Sequence, residues 1–241
     1  MSTSEIDLHL IGKKYLDTLV YIDRLDLSET NEAKESSEGL GGIYNIKDIE
    51  GLNPRYSPIG EKKAVVISEE LESRRTSIVK DSKRLDMSET YNLCRNILSK
   101  PDWTHVAYVD DVELPRANQF FKVIDSVDFC TNKDRGTFKN ELDNCTVIFD
   151  SRERKALYQT ADLNSIIILH DPEGCEAIFR GESVCSHKID AIEGMRVNGA
   201  GDIFAGVFIR QFMRTNLHEA IESACEMTTD ILKQRQQNEE I

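Results

Sequence analysis

The chain has 241 residues, 39% of them hydrophobic and 30% charged, which excludes a disordered segment and is typical of a globular protein with a substantial core. Its 43 acidic and 30 basic residues give a net charge of −13, which argues against nonspecific binding to nucleic acid or to an anionic membrane. Because we find no apolar signal segment and no membrane-length apolar run, we expect a cytoplasmic protein.

The first hundred residues predict short strands separated by polar segments. Four apolar runs indicate strands, at residues 6–12, 18–22, 64–68 and 76–79. The first two strands are interrupted around Asp17, and the last two form a hairpin. The polar stretch 26–38 predicts a loop or the start of a helix, the glycine cluster 39–45 a turn, and residues 46–50 a short helix. Helical spacing of apolar residues predicts a further helix over 89–98.

From residue 105 onward, strands and helices alternate. Apolar runs predict strands at 105–109, 126–130, 145–149 and 165–169. Helices are predicted at 116–124, 136–142, 152–158, 201–213 and 217–234. Residues 177–179 and 184–185 indicate a small hairpin. Because short apolar strands that alternate with helices are typical of a buried parallel sheet, the predicted fold class is α/β, with a mostly parallel sheet covered by helices on both faces.

The turn at residues 198–202 carries the clearest chemical signal. Gly199 and Gly201 flank Ala200, Asp202 follows at once, and a small-residue apolar helix begins directly behind. Glycines let the backbone approach a ligand, and the N–H groups at a helix start attract an anion. A carboxylate at such a site can accept a proton from an attacking hydroxyl, an arrangement suited to phosphoryl transfer. The alternative is a plain glycine-capped loop before an amphipathic helix.

The wider string, Asn-Gly-Ala-Gly-Asp followed by an aromatic residue and Ala-Gly, resembles the C-terminal signature of the ribokinase-like (PfkB) family of carbohydrate kinases. The resemblance implies that Gly199, Ala200 and Gly201 form the anion hole, that Asp202 is the catalytic base, and that Asn198 binds nucleotide. It further implies one three-layer domain over residues 1–241, with a small β lid from about 13–25 and 64–80.

Two further segments resemble the sugar-binding elements of that family. Asp17 follows the first strand, where the family has an Asp that binds sugar hydroxyls, and Gly41, Gly42 and Asn45 match its Gly-Gly-x-x-Asn element. The alternative for Asp17 is an acidic residue in an ordinary turn, and the alternative for the glycine segment is a simple turn from a loop into a helix. Residues 73–79 resemble the lid strand, although an exposed edge strand explains their charges equally well.

The nucleotide end departs from the family pattern. Glu153 keeps the spacing of the family's Asn-x-x-Glu element for magnesium, but Asp150 replaces the Asn, and a capped helix start is the alternative. In the loop beside the nucleotide only Gly174 matches, and Asp171 is expected to repel phosphate unless a metal or a base intervenes. Arg196 stands where the family has an Asp of a monovalent-cation site, so we expect no such site and assign Arg196 to positive charge near the phosphates.

The resemblance therefore implies an ATP- and Mg²⁺-dependent kinase that phosphorylates a hydroxyl of a sugar or sugar derivative, with a homodimer through the lid. Two alternatives stay open: a nucleoside kinase on the same fold, and a catalytically silent relative that binds a sugar. Neither nucleic acid nor membrane is an expected partner. The histidines are read as structural or exposed: His9, His105, His170, His187 and His218. The cysteines are read as mostly buried free thiols: Cys94, Cys130, Cys145, Cys175, Cys185 and Cys225.

Overall fold

The structure is a computed structural model that describes residues 5–47, 49–69, 74–86, 88, 101–121, 123–159, 161–192 and 195–239. The strands of the described residues are β1 (Ile6–Ile22), β2 (Glu35–Gly42), β3 (Leu52–Glu69), β4 (Arg74–Arg84), β5 (Trp103–Val109), β6 (Ser126–Phe129), β7 (Val147–Ser151), β8 (Ile166–Asp171), β9 (Gly174–Phe179) and β10 (Glu182–Lys188). The helices are α1 (Glu113–Phe120), α2 (Lys139–Leu142), α3 (Ala200–Phe212) and α4 (Leu217–Glu239), and 3-10 helices cover Ile43–Ile46, Arg135–Phe138 and Arg152–Tyr158.

A mixed sheet with the order β10-β9-β8-β7-β6-β5-β1-β3-β4 forms the middle layer. The strands from β3 to β8 in that order are parallel, and β9, β10 and β4 are antiparallel additions at the two ends. The alternation predicted from residue 105 onward is confirmed, with boundaries shifted by a few residues. Residues 152–158 form a 3-10 rather than an α-helix.

Apolar side chains alternate between the two faces of the sheet. Leu10 and Phe149 lie in the core beneath α3, where the ring of Phe149 meets that of Phe208 edge-on at 5.3 Å. Ile11 and Ile148 belong to the opposite core, which contains the buried face of α1. Both faces are therefore covered, and the predicted three-layer α/β fold is confirmed. None of the described helices has the length and apolarity needed to cross a membrane.

Four strand segments continue the same sheet beyond the layered core, and we call them the extension: residues 13–22 of β1, β2, residues 60–69 of β3, and β4. Strand β1 pairs with β5 only as far as Gly12, and from Lys14 onward its partner on that side is β2. The pairing of β1 with β3 changes register between Gly12 and Lys13. A Cβ at Gly12 would lie 2.2 Å from the carbonyl oxygen of Ala107, so glycine is required where the strand leaves the core.

In the first half of the chain, the structure of the extension differs from three of the sequence predictions. Strand β1 is continuous through Asp17, which pairs with Gly39 on one side and Ala64 on the other. Residues 35–38 belong to a strand rather than to a loop or helix start, and the short helix covers Ile43–Ile46 instead of 46–50. The first six residues of β2 are exposed and its two buried residues are glycines, so its sequence carries no apolar alternation to reveal it. The hairpin predicted for 64–68 and 76–79 is confirmed.

The predicted helix at 89–98 and the cysteines remain to be compared with the structure. The helix predicted at 89–98, which contains Cys94, lies outside the described residues. The described cysteines are free, and most are at least partly buried as expected: Cys145, Cys175, Cys185 and Cys225. Cys130 is the exception, because it is exposed at the end of β6.

Candidate active site

A cleft of about 1120 Å³ lies between the extension and the carboxyl ends of β5, β6, β7 and β8. Ligands of open α/β sheets bind at this edge, where the strands end and loops begin. The volume exceeds the roughly 300–1,000 Å³ that a site for one small ligand occupies. The cleft is therefore large enough for two ligands side by side.

The first turn of α3 forms the floor of the cleft. Gly199 precedes the helix in the left-handed conformation, with φ of 75°, and no side chain caps the helix. The N–H groups of the first turn have no carbonyl partner within a helix, so those near Gly201 and Asp202 are available to an anion. The N–H group of Ala200, in contrast, donates to the carbonyl oxygen of Val197 at 3.1 Å, so the role of this turn as an anion hole stays a prediction for the neighbouring amides.

Asp202 is the central acid of the cleft. Its side chain is 4% exposed, and its Oδ2 atom accepts hydrogen bonds from Tyr108 Oη at 2.5 Å and from Asn45 Nδ2 at 2.7 Å. Burial raises the pKa of Asp202 to about 6, against the lowering effect of these two donors. The carboxylate is therefore mostly ionised at neutral pH, and within the described residues both of its hydrogen bonds use one oxygen.

Tyr108 is a site residue that sequence reasoning missed. It has φ of 60°, an uncommon value for a residue with a Cβ, and its ring packs against Tyr15 at 5.1 Å between centroids. Burial and the nearby carboxylate of Asp202 raise its pKa well above the ordinary value, so the phenol stays protonated and donates. Its place near the carboxyl end of a parallel strand was the one available signal.

The opposite wall carries the predicted substrate residues. Asp17 is 8% exposed, and within the described residues its Oδ1 atom is buried without a hydrogen-bond partner. A Cβ at Gly41 would lie 2.2 Å from Asp17 Oδ2, and one at Gly42, which has φ of 67°, would lie 2.3 Å from the carbonyl oxygen of Lys13. Close backbone approach explains both glycines. An orphaned carboxylate oxygen facing a cleft is suited to a ligand donor.

Asn45 joins the two walls. Its amide nitrogen donates to Asp202, and a Cβ at Gly199 would lie only 2.8 Å from its Cγ atom. The Gly-Gly-x-x-Asn segment and the Gly-Ala-Gly-Asp turn, more than 150 residues apart in the chain, therefore meet at one point. The order of the motifs in the sequence does not predict this contact.

Arg75 places a positive charge between the same walls. It extends from β4 and donates from Nη1 to Asn198 Oδ1 at 3.2 Å. Its guanidinium opposes the rise in pKa that burial causes in Asp17 and in Asp202. The extension therefore contacts the turn that precedes α3 through a charged side chain.

No protein-family model and no curated protein matches this sequence. Solved structures do match it over nearly the whole chain. Arabidopsis thaliana ribokinase complexed with ribose and ATP has 14% identity, 93% coverage of this chain, 91% of its own and a TM-score of 0.60. Burkholderia thailandensis nucleoside kinase in complex with inosine has 12% identity, with 92% of this chain and 89% of its own covered and a TM-score of 0.64. Thermotoga maritima ribokinase has 15% identity, with 90% of this chain and 89% of its own covered and a TM-score of 0.57.

The chain has a ribokinase-like fold. The resemblance stated from the sequence is therefore confirmed at the level of the fold. The structural neighbours named above are sugar and nucleoside kinases.

The residues expected at the metal end of this ribokinase-like cleft divide into two groups. Glu153 is exposed and lines the cleft. Asp150 is 1% exposed, and its two oxygens contact Arg135 at 2.6 Å, the hydroxyl of Tyr158 at 2.8 Å and Arg154. Asp150 is therefore corrected from a metal ligand to the centre of a buried ion-pair network, because both oxygens are already engaged.

Asp128 is the acid that the sequence analysis did not single out at this end. It follows Val127 near the end of β6 and lines the cleft. Burial, with repulsion from Asp202 and Asp150, raises the pKa of Asp128 to about 8. A cation in the cleft would relieve this crowding of negative charge. Within the described residues, however, no group of three or more His, Cys, Asp or Glu side chains could hold a metal ion.

The segment that the sequence analysis expects beside the nucleotide is a tight hairpin between β8 and β9. Strand β8 runs to Asp171, and Gly174 begins β9 with φ of 126°. A Cβ at Gly174 would lie 2.1 Å from the carbonyl oxygen of His187, so the hairpin with β10 explains this glycine. Arg152 pairs with Asp171 at 2.7 Å, which reduces the repulsion of phosphate expected from that carboxylate.

The histidine and arginine expectations have mixed outcomes. His105 is structural, since it is buried and hydrogen-bonded to Ser126 Oγ at 2.8 Å. His170 lines the cleft, where its ring stacks on Phe204 at 4.9 Å and burial lowers its pKa to about 4. Arg196 does not line the cleft, and its guanidinium lies over the ring of Tyr21 at 3.9 Å. The assignment of Arg196 to the phosphates is therefore wrong.

Proposed function

We propose that this protein is an ATP-dependent kinase that phosphorylates a hydroxyl group of a sugar or a nucleoside. One observation carries the proposal: a buried carboxylate, Asp202, lies in the first turn of α3, and within the described residues both of its side-chain hydrogen bonds use Oδ2. Support also comes from the similar proteins, one complexed with ribose and ATP and another with inosine. Ribose and inosine share a ribosyl group, so polyol recognition is the common requirement.

Asp202 is the proposed general base. The acceptor hydroxyl gives its proton to Oδ1 of Asp202, while Tyr108 and Asn45 hold Oδ2 and fix the orientation of the carboxylate. The hydroxyl oxygen then forms a bond to the γ-phosphorus as the bond from that phosphorus to the bridging oxygen of ADP breaks. Asp202 later returns the proton to solvent. A carboxylate with a pKa of about 6 is ionised for this task at pH 7 and still accepts a proton readily.

The amides of Gly199 and Gly201 are the proposed anion hole, whereas the amide of Ala200, which the sequence resemblance also assigned to it, donates to the carbonyl oxygen of Val197 at 3.1 Å. Negative charge on the transferring phosphoryl group would lie at the positive end of the dipole of α3, next to donors that need no rearrangement. Asp17 and Asn45 would bind the hydroxyls of the acceptor, and the buried, unpartnered oxygen of Asp17 supports this role. Arg75 would screen the carboxylates from the phosphates.

The extension is the proposed lid over the acceptor. It carries Asp17 and Arg75 on strands that cross the cleft mouth, so closure would exclude water that competes for the phosphoryl group. The chain is proposed as a single domain with this lid. A homodimer through the lid stays a prediction, supported by the exposed apolar side chain of Ile78 (53%) on β4, which does not line the cleft.

Magnesium fits the acids at the nucleotide end. Mg²⁺ keeps several waters and uses one or two carboxylates together with substrate phosphates, which is consistent with the sparse donor set found here. Glu153 and Asp128 are the residues that would hold it, directly or through water. When bound, the ion would neutralise charge on the phosphates. Asn198 and Gly174 line the cleft and are proposed to contact the nucleotide.

A nucleoside acceptor is the second candidate. The paired rings of Tyr15 and Tyr108 line the same cleft and offer an aromatic surface near Asp202 on which a base can stack. The sequence-based alternative of a silent sugar-binding protein also requires a test, because both it and a kinase would bind the acceptor.

The test is ADP release from ATP and Mg²⁺ with a panel of sugars and nucleosides, using the wild-type chain and Asp202→Asn. We expect turnover with at least one acceptor, and a roughly 10²–10⁴-fold lower kcat in the variant with acceptor affinity nearly unchanged. Asp81→Asn, an exposed β4 acid outside the cleft, is the matched control and should keep full activity. Undiminished turnover in Asp202→Asn would reject the base. Acceptor binding without ADP release from any compound would favour the silent protein.

A further inference from the structure

A second pocket, of about 350 Å³, lies where the extension meets α4. One part of its wall is apolar, with Leu19 from β1, Leu40 from β2 and Leu232 from α4. The other part is basic, and its cationic side chains are Lys47, Arg196 and Arg235. The pocket therefore combines an apolar wall with a cluster of positively charged side chains.

The charge of this pocket contrasts with that of the chain. Net charge is −13, yet none of the described residues that line the pocket is acidic. Lys47, Arg235 and Arg196, whose charge is partly offset by its ion pair with Glu35, surround a small concavity and attract an anion from solution even when the distant field is negative. The sequence pattern does not show this cluster, because its members lie far apart in the chain.

The arginines are held in place by contacts with other residues of the pocket wall and with Glu35. Arg196 stacks on Tyr21 and pairs with Glu35 at 2.9 Å, and its backbone N–H donates to Gln236 at 3.2 Å. Arg235 donates to the backbone oxygen of Asn45 at 3.4 Å. A guanidinium oriented before binding loses less side-chain entropy when an anion arrives.

We propose that this pocket binds a small dianion, either phosphate or a small phosphate monoester. Guanidinium groups match phosphate oxygens in pairs, and the apolar wall suits the organic part of a monoester. The pocket lies at the small end of the range for ligand sites, so a nucleoside triphosphate does not fit. Lys47, Arg196 and Arg235 do not line the cleft, whereas Asn45, Asn198 and Leu232 line both cavities, so this site adjoins the proposed phosphoryl-transfer site and has its own cationic groups. The inference does not depend on kinase activity.

A tryptophan reporter tests the proposal by binding alone. The chain has one tryptophan, Trp103, which is 6% exposed, whereas Leu40 is 51% exposed at the pocket. The full-length Leu40→Trp variant is titrated with inorganic phosphate at constant ionic strength, with chloride as the reference. We expect a saturable change in emission with phosphate only. No change, or an equal change with chloride, would overturn the proposal.

Charge removal localises the binding. Adding Lys47→Gln and Arg235→Gln to the reporter should weaken phosphate binding about tenfold, since two charge-assisted contacts are lost. Adding Lys63→Gln and Lys83→Gln, which remove the same charge from exposed positions outside both pockets, should leave it unchanged. Equal weakening by the two pairs would refute a built site. If the first pair impairs folding, Lys47→Gln alone, at an exposed side chain, should still weaken binding.

Glycerol phosphate, titrated into the same reporter, separates the two sources of the dianion. Tighter binding than inorganic phosphate would assign the apolar wall to the organic part of a monoester. Equal binding would identify the phosphate group alone as the ligand. Binding of neither compound would refute the site.

Discussion

The hydrogen bond from Tyr108 to Asp202 allows a quantitative prediction for the pH dependence of turnover. In Tyr108→Phe, the carboxylate loses one of its two donors, while the ring and its contact with Tyr15 remain. A hydrogen bond to a charged acceptor contributes about 1.5–3 kcal/mol, and one pKa unit corresponds to about 1.36 kcal/mol. The pKa of Asp202 should therefore rise from about 6 by roughly 1–2 units in the variant.

The direction follows from the role of the base. Only ionised Asp202 accepts the hydroxyl proton. The value of kcat/KM should therefore increase as the pH rises through the pKa of that carboxylate, and it should be low at pH values below that pKa. At pH 7 about nine-tenths of the wild-type carboxylate is ionised, whereas in the variant the ionised fraction is between about one-half and one-tenth. The acid limb of the profile should move to higher pH by the same roughly 1–2 units.

The assay is kcat/KM for ADP release from about pH 5 to pH 9, measured with the best acceptor of the panel. Tyr15→Phe is the matched control, because it removes a phenol from the same cleft that makes no hydrogen bond to Asp202 within the described residues. An acid limb that stays in place in Tyr108→Phe, or that moves equally in both variants, would refute the reasoning.

Three further predictions test separate parts of the site. Gly199→Ala and Gly181→Ala both force alanine into a left-handed conformation at about 1–2 kcal/mol, but only the first adds a Cβ next to another side chain, so only the first should lose activity. Equal loss would contradict this. Asp17→Asn should raise the KM for the acceptor about 10–100-fold and change kcat less, and the opposite split in steady-state kinetics would assign Asp17 to the chemistry. Asp150→Ala should lower Tm by roughly 6–20 °C through the unpaired buried arginine, whereas Glu153→Ala should keep Tm and raise the Mg²⁺ concentration needed for activity. Similar melting curves for Asp150→Ala and Glu153→Ala would contradict the assignment of a structural role to Asp150 and a magnesium-binding role to Glu153.

The sequence predicts those parts of the site that are encoded locally. The turn before α3 is recognisable because its glycines, its acid and the following apolar helix are consecutive residues. The parallel strands are recognisable because each is buried on both faces and reads as a short apolar run. The function of a chain segment is visible in its sequence when the groups that act together are neighbours in the chain.

The remaining site residues depend on contacts that sequence neighbours do not supply. Asp150 has the spacing of a metal ligand, but Arg135, fifteen positions earlier, occupies it. Tyr108 and Asp128 lie on strands whose patterns report only burial, and their roles come from the proximity of Asp202. Strand β2 is exposed and rich in Gly and Ser, so only its pairing with β1 identifies it.

The position of the bulge at Gly12 and Lys13 determines which part of the lid can move. Lys13 is 3% exposed, and its Nζ atom lies 2.5 Å from Glu113 at the start of α1. Because this buried ion pair fixes β1 to the core directly after the bulge, motion of the extension must pivot beyond Lys13. Asp17 lies four residues past that anchor and Asp202 lies in the core, so closure of the proposed lid would change the distance between the proposed acceptor site and the proposed base and would leave the turn before α3 in place. A hinge at this place would couple acceptor binding to the alignment of the hydroxyl with Asp202.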